Sequence, residues 1–370
     1  VLTTDYVADR SRQESEDVHR ALRWYWDMTR YEFPRLNVRE RLALERHNAA
    51  QLDRHVREFR PHVVAWWSMG GMSLSLIERV RRSRIPAVFV VHDEWLVYGW
   101  QRDQWIRIWS RPGRAIAGRL LERLTGIPIR VEISDAGPMV FNSRYTMERT
   151  RCAGVHARRM TVVPPGIEDR FRESLPAEPW RWRMVYVGRV DWVKGVDTAV
   201  AALARLPRQS TLTVWGSGEQ RYVHKLNAMA KELGVATQLR FAGFAADDAL
   251  LGAYAAADVV LFPVRWNEPF GLVPLEAMGL GRVVVSTARG GTAEFLEDGV
   301  NALVFDADDP ERLAECVRRL GRDEQLRQRL RAGGQRTAAR YSAERFAKRT
   351  VEEIIGPAAR GPDGGQPAAR

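Results

Sequence analysis

Between residues 183 and 305 the chain alternates short, unbroken apolar runs with longer helical stretches, and this alternation constrains the fold more than any other feature. The runs 184–187, 211–215, 238–242, 259–262, 283–286 and 302–305 read as strands. Helical stretches such as 220–233 and 247–256 lie between them. A strand that is apolar at every position must be buried on both faces, which calls for a parallel sheet with helices above and below it. Right-handed crossovers then put a ligand site at the C-terminal edge of that sheet. The first half reads similarly, with strands at 1–3, 62–67, 87–92, 139–142 and 160–163 and helices at 38–59 and 74–82. A chain of 370 residues, 45% hydrophobic and 28% charged, can bury two such cores.

One stretch carries the chemistry: Asn267-Glu268-Pro269-Phe270-Gly271-Leu272-Val273-Pro274-Leu275-Glu276-Ala277-Met278. Glu268 follows the strand at 259–262, and the pattern predicts a helix starting near Phe270. The first amides of that helix, on Phe270, Gly271, Leu272 and Val273, have no partner within it. They form an anion site that the helix dipole strengthens. Glu268 lies just before this site and Glu276 two turns beyond it. Two carboxylates so placed can hold hydroxyl groups at either end of a ligand whose middle is a diphosphate. A sugar, a diphosphate and a ribose fit that order.

Together with Arg289-Gly290-Gly291-Thr292-Ala293-Glu294, this run resembles the paired-glutamate motif of retaining glycosyltransferases of family 4, also called glycosyl transferases group 1. The resemblance covers most of the chain. It implies the GT-B fold: two Rossmann-like, doubly wound parallel-sheet domains of the α/β class facing across a cleft. Residues 1–172 would form the acceptor-side domain, joined by 343–355, and 173–342 the nucleotide-sugar domain, with 356–370 a mobile tail. The implied activity moves a sugar from UDP or GDP to a glycan or lipid-linked acceptor. Glu268 would orient sugar hydroxyls and Glu276 bind the ribose. Arg189 and Lys194, after the strand at 184–187, would neutralise the diphosphate as it leaves. Gly216, Ser217 and Gly218 would line the nucleotide pocket, and Gly243 and Phe244 would meet the base, a packing role for Phe244 being the alternative. His92 would support charge at the anomeric carbon. No cofactor or metal is expected, because these cations and the helix start already supply positive charge. Asp306-Ala307-Asp308 matches a metal-type spacing, but Asp309-Pro310 reads as a helix start.

Members of that family open with a strand and a glycine-rich loop, and residues 1–6 instead resemble their second strand. That leaves a truncated start or a lost element. Charge is uneven: residues 1–172 hold 30 Arg and no Lys against 21 acidic residues, a net of +9 of the chain's +11. A basic first half suits an anionic partner. The stretch 100–126 sets Trp100, Trp105, Ile106, Ile108, Trp109, Ile116, Leu120 and Leu121 among six Arg, divided at Pro112-Gly113. It reads either as helices lying on an anionic membrane or as covering helices of the first domain. Two isolated thiols, Cys152 and Cys316, and no signal or spanning segment point to the cytoplasm and the inner membrane face. No nucleic acid is expected as partner. The alternatives are a GT-B enzyme of other chemistry, an epimerase or phosphorylase, and a basic membrane- or nucleic-acid-binding protein with an inactive transferase fold.

Overall fold

The computed structural model describes residues 1–5, 17–27, 33–134, 136–176, 178–245 and 247–360. They fall into two compact units. The first takes Val1–Asn142, Thr146–Val162 and the residues from Arg349 onward; the second takes Ser143–Tyr145 and Val163–Lys348.

In the first unit the chain runs through β1 (Leu2–Thr4), β2 (His19–Leu22), α1 (Val38–Phe59), β3 (Val64–Trp67), α2 (Ser75–Arg82) and β4 (Ala87–Val91). Three helices follow, α3 (Trp95–Arg102), α4 (Ile106–Trp109) and α5 (Ala115–Thr125), then β5 (Met139–Phe141), α6 (Arg144–Cys152) and β6 (Met160–Val162). Among the described residues, β3, β4, β5 and β6 form a parallel sheet in that order. β1 and β2 make a separate parallel ribbon instead of joining the sheet. β2, His-Arg-Ala-Leu, carries no β-branched residue and escapes a pattern search for that reason. Helix α1 begins where Asn37 accepts from the amides of Arg39 and Glu40 while the Glu40 carboxylate accepts from the Asn37 amide, so the capping box fixes its first turn.

The stretch 100–126 divides between core and surface. Trp105 is fully buried, with its indole N–H donating to the Pro128 carbonyl at 2.8 Å, and Ile106, Ile108 and Trp109 are buried with it. They pack in the cluster that also holds Phe89, Val91 and Trp95. Of the two readings of 100–126, Trp105 and Trp109 follow the covering one: they are core, packed on the sheet with Phe89 and Val91.

The second unit holds β7 (Arg183–Val187), α7 (Val196–Leu203), β8 (Thr211–Trp215), α8 (Gln220–Glu232), β9 (Leu239–Gly243), α9 (Asp247–Ala255), β10 (Val259–Phe262), α10 (Leu272–Gly279), β11 (Val283–Ser286) and β12 (Leu303–Val304). It closes with α11 (Pro310–Arg322), α12 (Glu324–Ala338) and the start of α13 (Ala343–Thr350). Among the described residues its parallel sheet runs β12-β11-β10-β7-β8-β9. Every residue of β10 and β11 is buried. Alternate side chains serve opposite faces: Val259, Leu261, Val283 and Val285 join one core, whereas Val260 and Val284 join the other.

The border falls after Val162 rather than at 172. Ile167 and Phe171, expected in the first domain, are buried in the second unit's core with Tyr254 and Met278. The return to the first unit begins at Arg349 rather than 343. Of the expected tail, Gly356–Arg360 is helical (α14), and 361–370 lie outside the described residues.

The first unit also buries a carboxyl that the sequence pattern did not single out. Glu45 on α1 is fully buried and accepts from the Tyr25 hydroxyl at 2.6 Å and the Ser75 hydroxyl at 2.5 Å. Burial, then the nearby Asp103, pushes its pKa up to about 7. The folded protein thus keeps a proton that the unfolded chain releases near the ordinary carboxyl value. Stability should fall as pH rises through the window from about 4.5 to about 7. Urea unfolding across that range should show the slope, and Glu45→Gln should flatten it. Equal slopes in the two proteins would refute the assignment.

Candidate functional site

The second sheet reverses its strand order between β7 and β10, and the loops leaving these strands flank the switch point. Three glycine loops interlock at the C-terminal ends of β7, β8 and β9. The Gly188 amide donates to Trp215, Val190 to Ser217, and Gly216 to Gly243. A Cβ on Gly216 would lie 1.8 Å from the Gly188 carbonyl, and one on Gly218 1.9 Å from that of Val190. Backbone approach alone therefore requires glycine at both positions. Phe244, just past Gly243, is 69% exposed, which removes the packing role as its explanation.

Lys194 ends a short 3-10 turn, Trp192–Lys194, whose cap residue, Asp191, accepts from the Lys194 amide. Gly195 follows with φ +69° and passes so close to the Pro263 carbonyl that a Cβ would clash with it. This approach brings Lys194 against the end of β10. Its Nζ donates to Glu268 Oε2 at 2.6 Å, and the indole N–H of Trp266 donates to the same oxygen at 2.8 Å. The ammonium also sits 4.8 Å from the Trp266 ring centroid. Both partners of the ion pair are mostly shielded, with side-chain exposures of 12% and 14%. Arg189 is not drawn into this group; it reaches Asp191 at 3.3 Å and is largely solvent-exposed.

The backbone of Glu268 is fixed by the turn Arg289-Gly290-Gly291. Its amide donates to Arg289, its carbonyl accepts from Gly291, and a Cβ on Gly290 would strike it. Helix α10 starts at Leu272, not near Phe270. Phe270 is instead buried against Phe295 and Tyr341, and Gly271 turns the chain at φ +90° into the helix. The helix-start amides are thus those of Leu272 and Val273, since Pro274 has none.

Glu276, on α10, is half-buried, and its Oε2 accepts from the Tyr254 hydroxyl at 2.6 Å. Burial raises its pKa, opposed by the Tyr254 hydrogen bond and the Arg170 charge. Arg265 clamps the loop between β10 and Glu268: it donates to both Asp197 oxygens, at 2.6 and 2.9 Å, and pairs with Asp308. Asp308 is thereby engaged, and Asp309 caps α11 by accepting from the Arg312 amide. Among the described residues, no group of three or more His, Cys, Asp or Glu is arranged to hold a metal.

His92 belongs to the first unit, at the end of β4. It is half-buried, edge-on to Trp67 at 5.4 Å, and burial lowers its pKa, so the ring is neutral at pH 7. Its carbonyl accepts from the Asn142 amide group at 2.7 Å. Sequence reasoning missed Trp266 and Tyr254. A tryptophan two residues before Glu268 was a visible signal, whereas Tyr254 looked like any helix-face aromatic.

Residues 167–337 match the family model described as glycosyl transferases group 1, and residues 5–171 match that of Glycosyltransferase Family 4. The D-inositol 3-phosphate glycosyltransferase of Xylanimonas cellulosilytica is 34% identical over 243 residues, 61% of this chain and 58% of that protein. Its namesake from Salinispora arenicola is 34% identical over 247 residues, 64% and 52% of the two chains. The chain spans about half the length of the curated relatives it matches. Among solved structures, Anabaena Alr3699/HepE in complex with UDP-glucose aligns with a TM-score of 0.66 at 21% identity, over 87% of this chain and 90% of that one. WaaG, a glycosyltransferase involved in lipopolysaccharide biosynthesis, aligns with a TM-score of 0.61 at 21% identity, over 88% and 85%. At such identities the likeness shows the fold, the GT-B class with two Rossmann-like domains.

The Arg265 clamp should be measurable by itself. Arg265→Ala leaves Asp197 partly buried without its cationic partner, with the Tyr222 hydroxyl still donating to it, and should cost about 2 kcal/mol. Arg265→Lys should fall between the two, because a single ammonium cannot bridge both oxygens. An unchanged urea midpoint in Arg265→Ala would show that the loop is held by other contacts.

Proposed function

The chain belongs to the glycosyl transferases of group 1, and we propose that it moves a sugar from UDP or GDP to a glycan or lipid-linked acceptor, with retention at the anomeric carbon. The observation that carries this reading is the Lys194–Glu268 pair beside the start of α10, with Glu276 further along the same helix. Crystals of Alr3699/HepE with UDP and UDP-glucose support a nucleotide-sugar donor here.

In this reading the diphosphate lies over the amides of Leu272 and Val273 and draws Lys194 from Glu268. Glu268, so released, accepts from the sugar hydroxyls, with Trp266 still holding one of its oxygens. Arg189, exposed and paired with Asp191 at 3.3 Å, swings onto the phosphates. The acceptor oxygen bonds to the anomeric carbon as the bond to the diphosphate breaks. The electron pair leaves with the diphosphate, whose departing oxygen takes the acceptor's proton. Lys194, Arg189 and the helix start carry the leaving-group charge in place of a metal.

Thermal unfolding with UDP and GDP tests the nucleotide site, because a ligand bound only to the folded state raises the melting temperature. One of the two should raise it. Glu276→Ala should abolish the rise, whereas Glu268→Ala should keep it and slow transfer at least about a hundredfold. No response to either nucleotide, or wild-type turnover in both variants, would end this reading.

We also propose an anionic membrane surface as partner, through α5 alone. Ile116, Leu120 and Leu124 recur every fourth residue along one face and are 76%, 59% and 76% exposed. Arg111, Arg114, Arg119 and Arg123 surround them, and the acid of this helix, Glu122, pairs with Arg82 at 2.6 Å. Exposed apolar side chains with exposed guanidinium groups beside them in sequence suit lipid with negative headgroups. Among the described residues, no helix is long and apolar enough to cross a membrane. Vesicles with anionic lipid should pellet the protein, and serine at 116, 120 and 124 together should abolish this. Equal binding to neutral vesicles, or none to either, would reject the surface.

A further inference from the structure

Resting on the reading of Glu276 as the ribose-binding carboxylate, we propose that Tyr254 is the positioning residue of the nucleotide site. Its hydroxyl holds Glu276 Oε2 and turns Oε1 to the ribose diol. Glu276 projects from α10, whereas Tyr254 stands on α9, the helix that precedes β10. The tyrosine is completely buried, and its hydroxyl donates to Oε2 at 2.6 Å. Its ring is locked edge-on against Phe171 at 6.1 Å, so the hydroxyl has little freedom to move. Phe171 also carries the Arg170 guanidinium over its face at 4.9 Å. The groups that act on Glu276 are therefore Tyr254 from α9 and Arg170 and Glu168 from the segment before β7.

A half-buried carboxylate has lost much of its hydration, and burial favours its neutral form. Neutral Glu276 would present an O–H to the ribose and accept fewer hydrogen bonds from it. Tyr254 opposes this with a donor that cannot ionise, since burial and Glu276 itself raise the phenol well above its ordinary range. One buried hydroxyl thus does two things. It favours the charged carboxylate, and it fixes which oxygen and which lone pairs remain for the ribose 2′- and 3′-hydroxyls. Discrimination between ribo- and deoxyribonucleotides then rests on Tyr254 as well as on Glu276.

The test is the affinity for UDP, or for GDP if that nucleotide stabilises the wild type, from pH 5 to pH 8. Tyr254→Phe keeps the ring and removes only the donor. Its affinity at pH 7 should fall about tenfold or more, as expected for a lost hydrogen bond to a charged group. The acid limb should move to higher pH, because Glu276 now takes up a proton more readily. The preference for UDP over 2′-deoxy-UDP should shrink. If Tyr254→Phe folds poorly, 3-fluorotyrosine at 254 gives the opposite readout: a stronger donor that moves the acid limb to lower pH. Glu276→Ala, measured alongside, separates the two claims. Undiminished affinity in Glu276→Ala sinks the ribose reading and this inference with it. Weakened affinity there, with an unmoved acid limb and unchanged 2′-deoxy discrimination in Tyr254→Phe, sinks the positioning role alone.

Discussion

Everything at the candidate site depends on the pairing of β7 with β10 in the middle of the second sheet. Val259 and Val260 lie beside Met184 and Val185, though the strands are far apart in sequence. The chain reaches this arrangement by laying β8 and β9 on one side and returning to build β10, β11 and β12 on the other. Two loops that leave neighbouring strands must then diverge, since their helices cover opposite faces of the sheet. The gap between them is where Lys194 meets Glu268. Burial of β10 and β11 on both faces makes this topology hard to shift, because sliding either strand by one residue would exchange the two cores.

Within that gap, steric necessity does much of the positioning. Gly195 lets the 3-10 turn press against the Pro263 carbonyl, and Gly290 lets the turn after β11 press against Glu268. Side chains then complete what backbone contact begins. Arg265 ties the start of α7 to the loop after β10, and Trp266 steadies Glu268 from its own loop. Charge is matched pair by pair: Lys194 with Glu268, Arg265 with Asp197, Arg189 with Asp191.

Much of the second unit was legible in the sequence because its strands are continuous apolar runs, and such runs have few other solutions. The strands at 211–215, 259–262 and 283–286 agree with the structure residue by residue. Helix α1 was equally plain, its length being set by Asn37 at one end and by Arg60, in the left-handed region, at the other. The start of α10 lies two residues after Phe270, because burial against Phe295 and Tyr341, which local pattern does not show, keeps Phe270 out of the helix. The ribbon strand β2 and the domain border depended on long-range packing that local pattern does not carry. Trp105 and Trp109 were visible as an amphipathic signal, but only tertiary contact decides whether such a face meets lipid or its own sheet. Tyr254 could not be found by spacing at all, since it and Glu276 come together only when α9 and α10 pack on the same side of β10.

The Lys194–Glu268 contact has a thermodynamic consequence of its own. An empty pocket lined by bare cations would attract any passing anion, phosphate and chloride included. Here the lysine already has an internal counter-ion held at bonding distance, so an arriving anion must outcompete a tethered rival. Entry becomes an exchange rather than a capture. A small inorganic ion offers too little to drive it, whereas a ligand that brings hydroxyls for the displaced carboxylate repays both halves of the swap.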